Sequence, residues 1–450
     1  MENSTCGPYE CLRTIGTGGF SEVKLAKHVE TGEVVALKIM KEMSVDLELV
    51  RNEISILQDL NHPNIVNLIG WSEEAILTQP DGQEIPVMYI ALELATNGDL
   101  CDLIILTGRF IEDHARYYFH QMLEGLDHLH SQGISHRDLK PDNMMLDDEF
   151  DLKLADFGFS SNQALNETRR GTGGYMAPEI YTGLEYSGPC IDLFAMGVIL
   201  FSMVAGNPPF RESSLSDPHY NLIRSNRIDT FWHAHSRSRE GGLDFFSEDF
   251  RHLINGLLSL NPHERPSLAE IREHPWYTAT IPTKEEMFEE LEKRRQQIEE
   301  SNNQSEEEVP DTSEGQTLYT HHQVQRSPSN PEEEKKETSI KRRLVEFTKE
   351  VAKYTRFYST YTESELCNTI ACFCKDYAKE YKFDDEEYKV TIKFEAELGE
   401  VDFQVSILKV DEKKRCIEVI KQSGDKFDFI EAYNKVKKCL GGQANTTLNG

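Results

Sequence analysis

Three carboxylates, two lysines and one asparagine are spaced so that together they could move a phosphoryl group. The stretch HRDLKPDN (136–143) supplies Asp138, Lys140 and Asn143, and DFG (156–158) adds Asp156. A carboxylate can orient an attacking hydroxyl, and an ammonium can steady the charge on the group in flight. A second carboxylate and an amide oxygen are the hard ligands that Mg²⁺ takes. Upstream, VALK (35–38) places Lys38 on a β-rich stretch and Glu53 follows on a helical one. A strand lysine held by a helix carboxylate can meet an ATP phosphate as a fixed point charge. The segment IGTGGFSEV (15–23) lets backbone N–H groups approach phosphate oxygens closely, through Gly16 and Gly18. No Gly-Lys-Ser/Thr follows it, so it is not a Walker loop, and no helix opens behind it as a dinucleotide site requires. Each piece alone has an ordinary reading, a glycine hairpin or two surface charges. With APE (177–179) closing the series, their occurrence together and in this order is beyond chance.

The elements that must hold these residues follow from hydrophobic pattern. Tyr9–Ile15, Glu22–His28 and Val34–Ile39 are short and β-rich, separated by Gly or Thr-Gly turns. Val50, Ile54, Leu57 and Leu60 fall on one face of a helix over Leu47–Leu60. Residues 100–277 are mostly helical, most clearly Glu112–Ser131 and Ile191–Ala205. The run Leu193–Ala205 is too short to span a bilayer and reads as a core helix. After Trp276 the composition turns acidic. Glu289/Lys293 and Glu290/Arg294 at i,i+4 predict an exposed helix over 284–300, and 301–338 has too little apolar surface to order. Order resumes near 340. Leu366, Ile370, Phe373, Tyr377 and Tyr381 make a helical stripe, Tyr388–Phe394 and Val401–Ile407 alternate, Ile417 and Val419 suggest another strand, and Phe429–Leu440 a last helix. The expected fold class is α+β, a two-lobed unit over 9–277 (lobes 9–94 and 95–277). A linker over 278–339 and a smaller α+β domain over 340–442 complete it.

Composition narrows the function. A formal net charge of −30 argues against general affinity for nucleic acid or anionic membrane and suits basic protein substrates. Nine scattered cysteines without zinc spacing read as reduced thiols of an intracellular protein, and the N-terminal stretch has no secretory pattern. The expected location is the cytoplasm, with Lys341, Arg342 and Arg343 as a small nuclear-import patch.

Over residues 9–277 these motifs resemble the eukaryotic protein kinase family, of the serine/threonine type because Lys140 lies two positions after Asp138. The resemblance implies a β-rich lobe over a helical lobe with ATP and Mg²⁺ between them. Lys38 would hold the α- and β-phosphates and pair with Glu53. Asp138 would be the catalytic carboxylate, Lys140 would steady the γ-phosphate, and Asn143 and Asp156 would bind the metal. Ile15, Gly16 and Gly18 would cover the nucleotide, Val23, Ala36 and Met145 would sandwich adenine, Leu92 would be the gatekeeper and Glu93–Ala95 the hinge. Asp99 would bind either ribose or, with Asp142, a substrate arginine or lysine two or three residues before the acceptor. Glu179 and Arg265 would form a buried pair; Phe194 stands where tryptophan is usual. A pseudokinase would lack Lys38, Asp138 or Asp156. Finer features resemble the calcium/calmodulin-kinase group: relatives of the AMP-activated kinase, maternal embryonic leucine-zipper kinase and the checkpoint effector kinase. From them Thr168 is the expected activation phosphosite, served by an upstream kinase or left unused in a constitutive enzyme. The stretch 356–440 is similar to the kinase-associated-1 domain. Its expected roles are autoinhibition by a clamp on the Glu53 helix or the hinge, lipid-headgroup binding through Lys413–Arg415 and Lys435–Lys438, or docking of partners.

Overall fold

The computed structural model describes residues 4–17, 21–40, 47–168, 171–303, 345–346, 355–359, 361–384, 387–396, 399–411, 414–424 and 426–440. Gly18, residues 304–339 of the expected linker, the Lys341–Arg343 patch and Lys413 lie outside them.

The N-terminal lobe is built on five antiparallel strands: β1 (Tyr9–Thr17), β2 (Ser21–His28), β3 (Val34–Met40), β4 (Leu68–Thr78) and β5 (Glu84–Leu92). They follow the order β1-β2-β3-β5-β4, and the two-residue strand Thr5–Cys6 bonds both β1 and β4 to close a barrel. On β3 the period of two sends Val35, Leu37 and Ile39 into the barrel core and leaves Ala36 and Lys38 on the cleft side. Helix α1 (Leu47–Asp59) buries Val50 and Ile54 against Met40, Met88 and Ile90. The same face carries Glu53, only 3% exposed, inward.

The second lobe is helical. Its parts include α2 (Leu100–Thr107), α3 (Glu112–Ser131), the hairpin β6 (Met144–Leu146) and β7 (Leu152–Leu154), and α4 (Gly188–Ala205). By length and composition α4 could cross a bilayer, yet 89% of it is buried inside this lobe, so it is the core helix the pattern predicts. Its first residue must be glycine, because a Cβ at Gly188 would lie 2.0 Å from Ser135 Oγ on the segment leading into the catalytic loop. Helix α5 (Lys284–Asn303) keeps the Glu290–Arg294 pair, at 2.8 Å, but is not simply exposed. Met287 and Leu291 join the lobe's core, and Arg294 lies over the Phe110 ring. Two apolar residues four apart suffice to seat one face of a helix whose average character is polar.

The C-terminal α+β unit comprises β8 (Arg356–Ser359), α6 (Glu363–Tyr377), β9 (Ala378–Phe383), β10 (Lys389–Glu395), β11 (Glu400–Lys409), β12 (Arg415–Ser423) and α7 (Lys426–Leu440). The sheet runs β8-β12-β11-β10-β9, all antiparallel, with Val345–Glu346 added parallel to β11. Val390, Ile392, Phe403, Val405 and Ile407 share one core with Ile370 and Phe373 of α6 and Phe429 and Tyr433 of α7. The helical stripe stops at Tyr377, and Tyr381 lies on β9 opposite Ile392. A spacing of four satisfies a strand's period as well as a helix's, so pattern alone misassigned that residue.

Candidate active site

Lys38 donates to both oxygens of Glu53, at 2.8 and 2.9 Å, and to Asp156 Oδ1 at 3.2 Å. Burial alone would lower the lysine's pKa, but Asp156 and Glu53 outweigh it and hold the ammonium well above its usual range. Burial pushes the Glu53 carboxyl upward against the pull of Lys38. With both oxygens in contact with the ammonium, the ionic pair is the form this geometry supports. The Lys38 charge, chiefly, lowers Asp156 to about 2, so Asp156 is a ready anion at neutral pH. Its backbone φ of 62° turns the chain sharply ahead of Phe157, which is buried beside His136.

Asp138 is held on every side. Lys140 Nζ donates to Oδ2 at 2.8 Å, and Thr172 donates to Oδ1 through both its N–H and its hydroxyl, each at 3.0 Å. Asn143 Nδ2 donates to the Asp138 carbonyl at 2.8 Å and to Oδ2 at 3.2 Å. That leaves the Asn143 amide oxygen for a cation. Among the described residues no three or more His, Cys, Asp or Glu side chains gather as a metal site. Asp156 and the Asn143 amide oxygen are donors of the hard kind that Mg²⁺ takes, and they would hold the ion together with phosphate oxygens of a nucleotide.

The loop itself hangs on a residue that sequence reading passed over. Asp192 of α4 is fully buried and accepts from the backbone N–H of His136 (2.9 Å) and Arg137 (2.8 Å), with His130 Nε2 also at 2.9 Å. Arg137 takes φ 69°, a left-handed turn that a non-glycine residue keeps only when its neighbours enforce it. Asp192 does so. Its only mark in the sequence is its place two residues before Phe194, where tryptophan is usual. Phe194 lies fully buried, with the Arg265 guanidinium over its ring, and Arg265 pairs with Glu179 at 2.6 and 2.8 Å as expected.

The nucleotide-facing residues come together around the same cleft. Gly16 stands opposite Val23, Val23 opposite Lys38 and Ala36 opposite Leu92 in the barrel register, with Ile15 just before. Asp99, past the hinge, forms an isolated antiparallel backbone bridge with Met145. Glu93 turns its side chain away to Lys153 (2.7 Å) and Asn67, so the Glu93–Ala95 segment can offer only backbone to an adenine. Asp99 caps α2 by accepting from Asp102 N at 2.9 Å. Thr168 Oγ1 accepts from Arg137 at 2.8 Å while its carbonyl accepts from Tyr186 OH at 2.6 Å. Arg137 Nε is buried without a hydrogen-bond partner among the described residues.

The C-terminal unit reaches this site from outside. Lys421, near the end of β12, donates to Asp142 Oδ1 at 2.9 Å; Lys426, opening α7, meets Asp99 Oδ1 at 2.5 Å and Asp102 Oδ1 at 3.1 Å. Ile105 and Leu106 of α2 pack on the unit's apolar core, and Arg13 of β1 lies 3.8 Å from Glu418. No sequence signal singled out Lys421 or Lys426. Of the basic residues expected to form an anion site, Arg415 is paired with Glu363 and Lys435 with Glu431. Of the two clamp positions expected, the Glu53 helix and the hinge, the described contact lies nearer the second, on α2 just past the hinge, and the Lys38–Glu53 pair is intact.

Fold and site define a protein kinase domain of the serine/threonine type, which works with ATP and Mg²⁺. The protein kinase domain profile matches residues 9–277, and the chain belongs to that family. CBL-interacting serine/threonine-protein kinases 8 and 24 of Arabidopsis thaliana are each 36% identical over 279 residues, 60% of this chain and 58% and 57% of their own lengths. The match thus spans less than two thirds of those two proteins. CBL-interacting protein kinase 32 of Oryza sativa subsp. japonica is 31% identical over 457 residues, covering 96% of this chain and 94% of that protein. These relatives are CBL-interacting kinases, not the AMP-activated, leucine-zipper or checkpoint kinases that the motifs resembled.

Proposed function

We propose that the full chain is a signalling kinase that phosphorylates serine or threonine preceded by basic residues, and that its C-terminal unit restrains it. The observation that carries this reading is the pair of lysines on Asp142, Asp99 and Asp102. A carboxylate cluster beside the catalytic loop suits a substrate guanidinium or ammonium through charge-assisted hydrogen bonds. Lys421 and Lys426 occupy those carboxylates with the same chemistry, so a basic substrate must displace them. A tether keeps the competing lysines at roughly millimolar effective concentration. A checkpoint-type role would rest on the likeness of 356–440 alone, and lipid binding would need Arg415 and Lys435, which are paired with Glu363 and Glu431.

Two further elements complete the proposal. An upstream kinase switches the enzyme on at Thr168, whose hydroxyl already touches Arg137; a phosphate there would gain the unpartnered Nε as well. The relatives' names tie them to CBL. For this intracellular chain the corresponding regulator is a protein that captures the C-terminal unit and frees Asp99 and Asp142.

The test is turnover of peptide libraries by the full-length protein and by Lys421→Glu/Lys426→Glu at equal Thr168 phosphorylation. Release of the restraint should raise kcat/KM for basic peptides by roughly tenfold, about 1.4 kcal/mol. Equal activity of the two proteins would sink the restraint, and a preference for acidic peptides would sink the assignment of Asp99 and Asp142.

A further inference from the structure

Lys421 sits on Asp142 in the manner expected of a basic substrate residue, and the residue two positions later in the chain is Ser423. That spacing is the one assigned above to a substrate's basic residue and its acceptor hydroxyl. Ser423 is exposed and is the last residue of β12, and its hydroxyl donates to Asp402 Oδ2 at 2.8 Å. Gly424 follows at φ 92°, where a Cβ would meet the Glu400 carbonyl at 2.5 Å, so the turn is closed by glycine alone. A terminal, exposed strand residue beside a tight turn opens at low cost compared with the strand's centre.

We propose that Ser423 is a self-phosphorylation site, and that a phosphate on it releases the C-terminal unit from the kinase domain. The proposal rests on the restraint read above. In the docked molecule Ser423 is paired on the sheet opposite Asp402, and its own Lys421 fills the carboxylates of its own kinase domain. Transfer therefore occurs between copies: an open kinase of one chain receives the 421–423 segment of another. Ser423 Oγ attacks the γ-phosphorus of ATP, and a new O–P bond forms as the bond to the β,γ-bridging oxygen breaks. ADP leaves, and the hydroxyl proton passes to the Asp138 carboxylate and on to solvent.

The consequence is electrostatic. A phosphoserine carries a charge of about −1.5 to −2 at pH 7. At Ser423 it would stand beside the Asp402 carboxylate and, in the chain, between Lys421 and Lys426, whose partners are the carboxylates Asp142, Asp99 and Asp102. It would also offer Lys421, two residues away, an anion on its own strand. Repulsion from the carboxylates and competition for the lysines both weaken the docked state. Release would then expose more substrate carboxylates, so the modification would feed forward.

The experiment mixes full-length wild-type protein with a heavy-isotope full-length Asp138→Asn chain in Mg-ATP and reads the peptide containing Ser423 by mass spectrometry. Phosphate on the heavy peptide is expected, with much less when the heavy chain also carries Lys421→Ala. Separately, Ser423→Asp should raise peptide turnover several-fold, towards the level of Lys421→Glu/Lys426→Glu, while Ser423→Ala keeps the basal level and loses the rise on preincubation with ATP. An unmodified Ser423 in both chains, at stoichiometric phosphorylation elsewhere, would overturn the proposal. So would a Ser423→Asp protein as restrained as wild type while the lysine reversals are active. If the lysine reversals were themselves inactive as releasers, the restraint would fail first, and the release step with it.

Discussion

Asp192 illustrates how a residue that touches no substrate can decide the geometry of those that do. Its two oxygens bind the N–H groups of His136 and Arg137 and so fix a left-handed turn one residue ahead of Asp138. Hydrogen bonds to a charged acceptor contribute about 1.5–3 kcal/mol each. A misplacement of about 1 Å at a reacting group can cost roughly 10²-fold. Asp192→Asn, which keeps the shape and removes the charge, should therefore lower kcat by about 10–100-fold and leave the KM for ATP nearly unchanged, since Lys38, Glu53 and Asp156 do not touch it. Steady-state kinetics with varied ATP check the split. A matching rise in KM would assign Asp192 to the nucleotide side of the cleft.

At the scale of elements, the activation segment is tied down by few contacts around Thr168. Asn166 and Leu165 pair with Tyr186 and Ser187, and Arg137 holds Thr168 from the catalytic loop. Phosphorylation would replace a neutral acceptor with a dianion on an arginine that has a spare buried donor. One or two added charge-assisted bonds, at about 1.5–3 kcal/mol each, correspond to a gain of at least roughly tenfold. A Thr168→Ala protein treated with an upstream kinase should thus stay at the unphosphorylated level, at least about tenfold below treated wild type. Full activity in that variant would mean that the segment is ordered without phosphate.

For the whole molecule, the contact between the C-terminal unit and α2 brings three carboxylates, Asp99, Asp102 and Asp142, against two ammonium groups, Lys421 and Lys426. One negative charge is in excess. Burial first, and Asp102 next, raise Asp99 to about 7 despite the pull of Lys426, whereas Lys421, Lys426 and Lys140 overcome burial and hold Asp142 low. If opening returns Asp99 towards its ordinary value of 3.8, the closed form binds an extra proton between about 4 and 7. Closure is then strongest below about 4, weakens as pH rises through that window and levels off above about 7. The activity ratio of Lys421→Glu/Lys426→Glu to wild type should accordingly shrink between about pH 5.5 and pH 7 and level off above it. Hydrogen exchange at Leu100–Thr107 in the wild type should quicken over the same range relative to the lysine-reversed protein, in which the base-catalysed rise of the intrinsic rate is the same. A ratio that grows with pH would place the excess charge elsewhere.

The chain by itself determined the chemistry, because phosphoryl transfer needs few residue types and these are close in sequence: Asp138, Lys140 and Asn143 within eight positions, Asp156 thirteen beyond. It also determined most of the core, since Val50, Ile54 and Leu57 or Val401, Phe403 and Val405 state their period locally. Tyr381 was misread because its spacing serves both periods, and α5 because two buried residues are hidden among charges. What only the tertiary structure decided are the meetings across long stretches of chain. Asp192 is 55 residues from the Arg137 N–H it holds, and Lys421 is 279 residues from Asp142. A single charge carries no address in sequence; its partner is set by how helices and sheets bring distant segments together, and those contacts decide when the site is open.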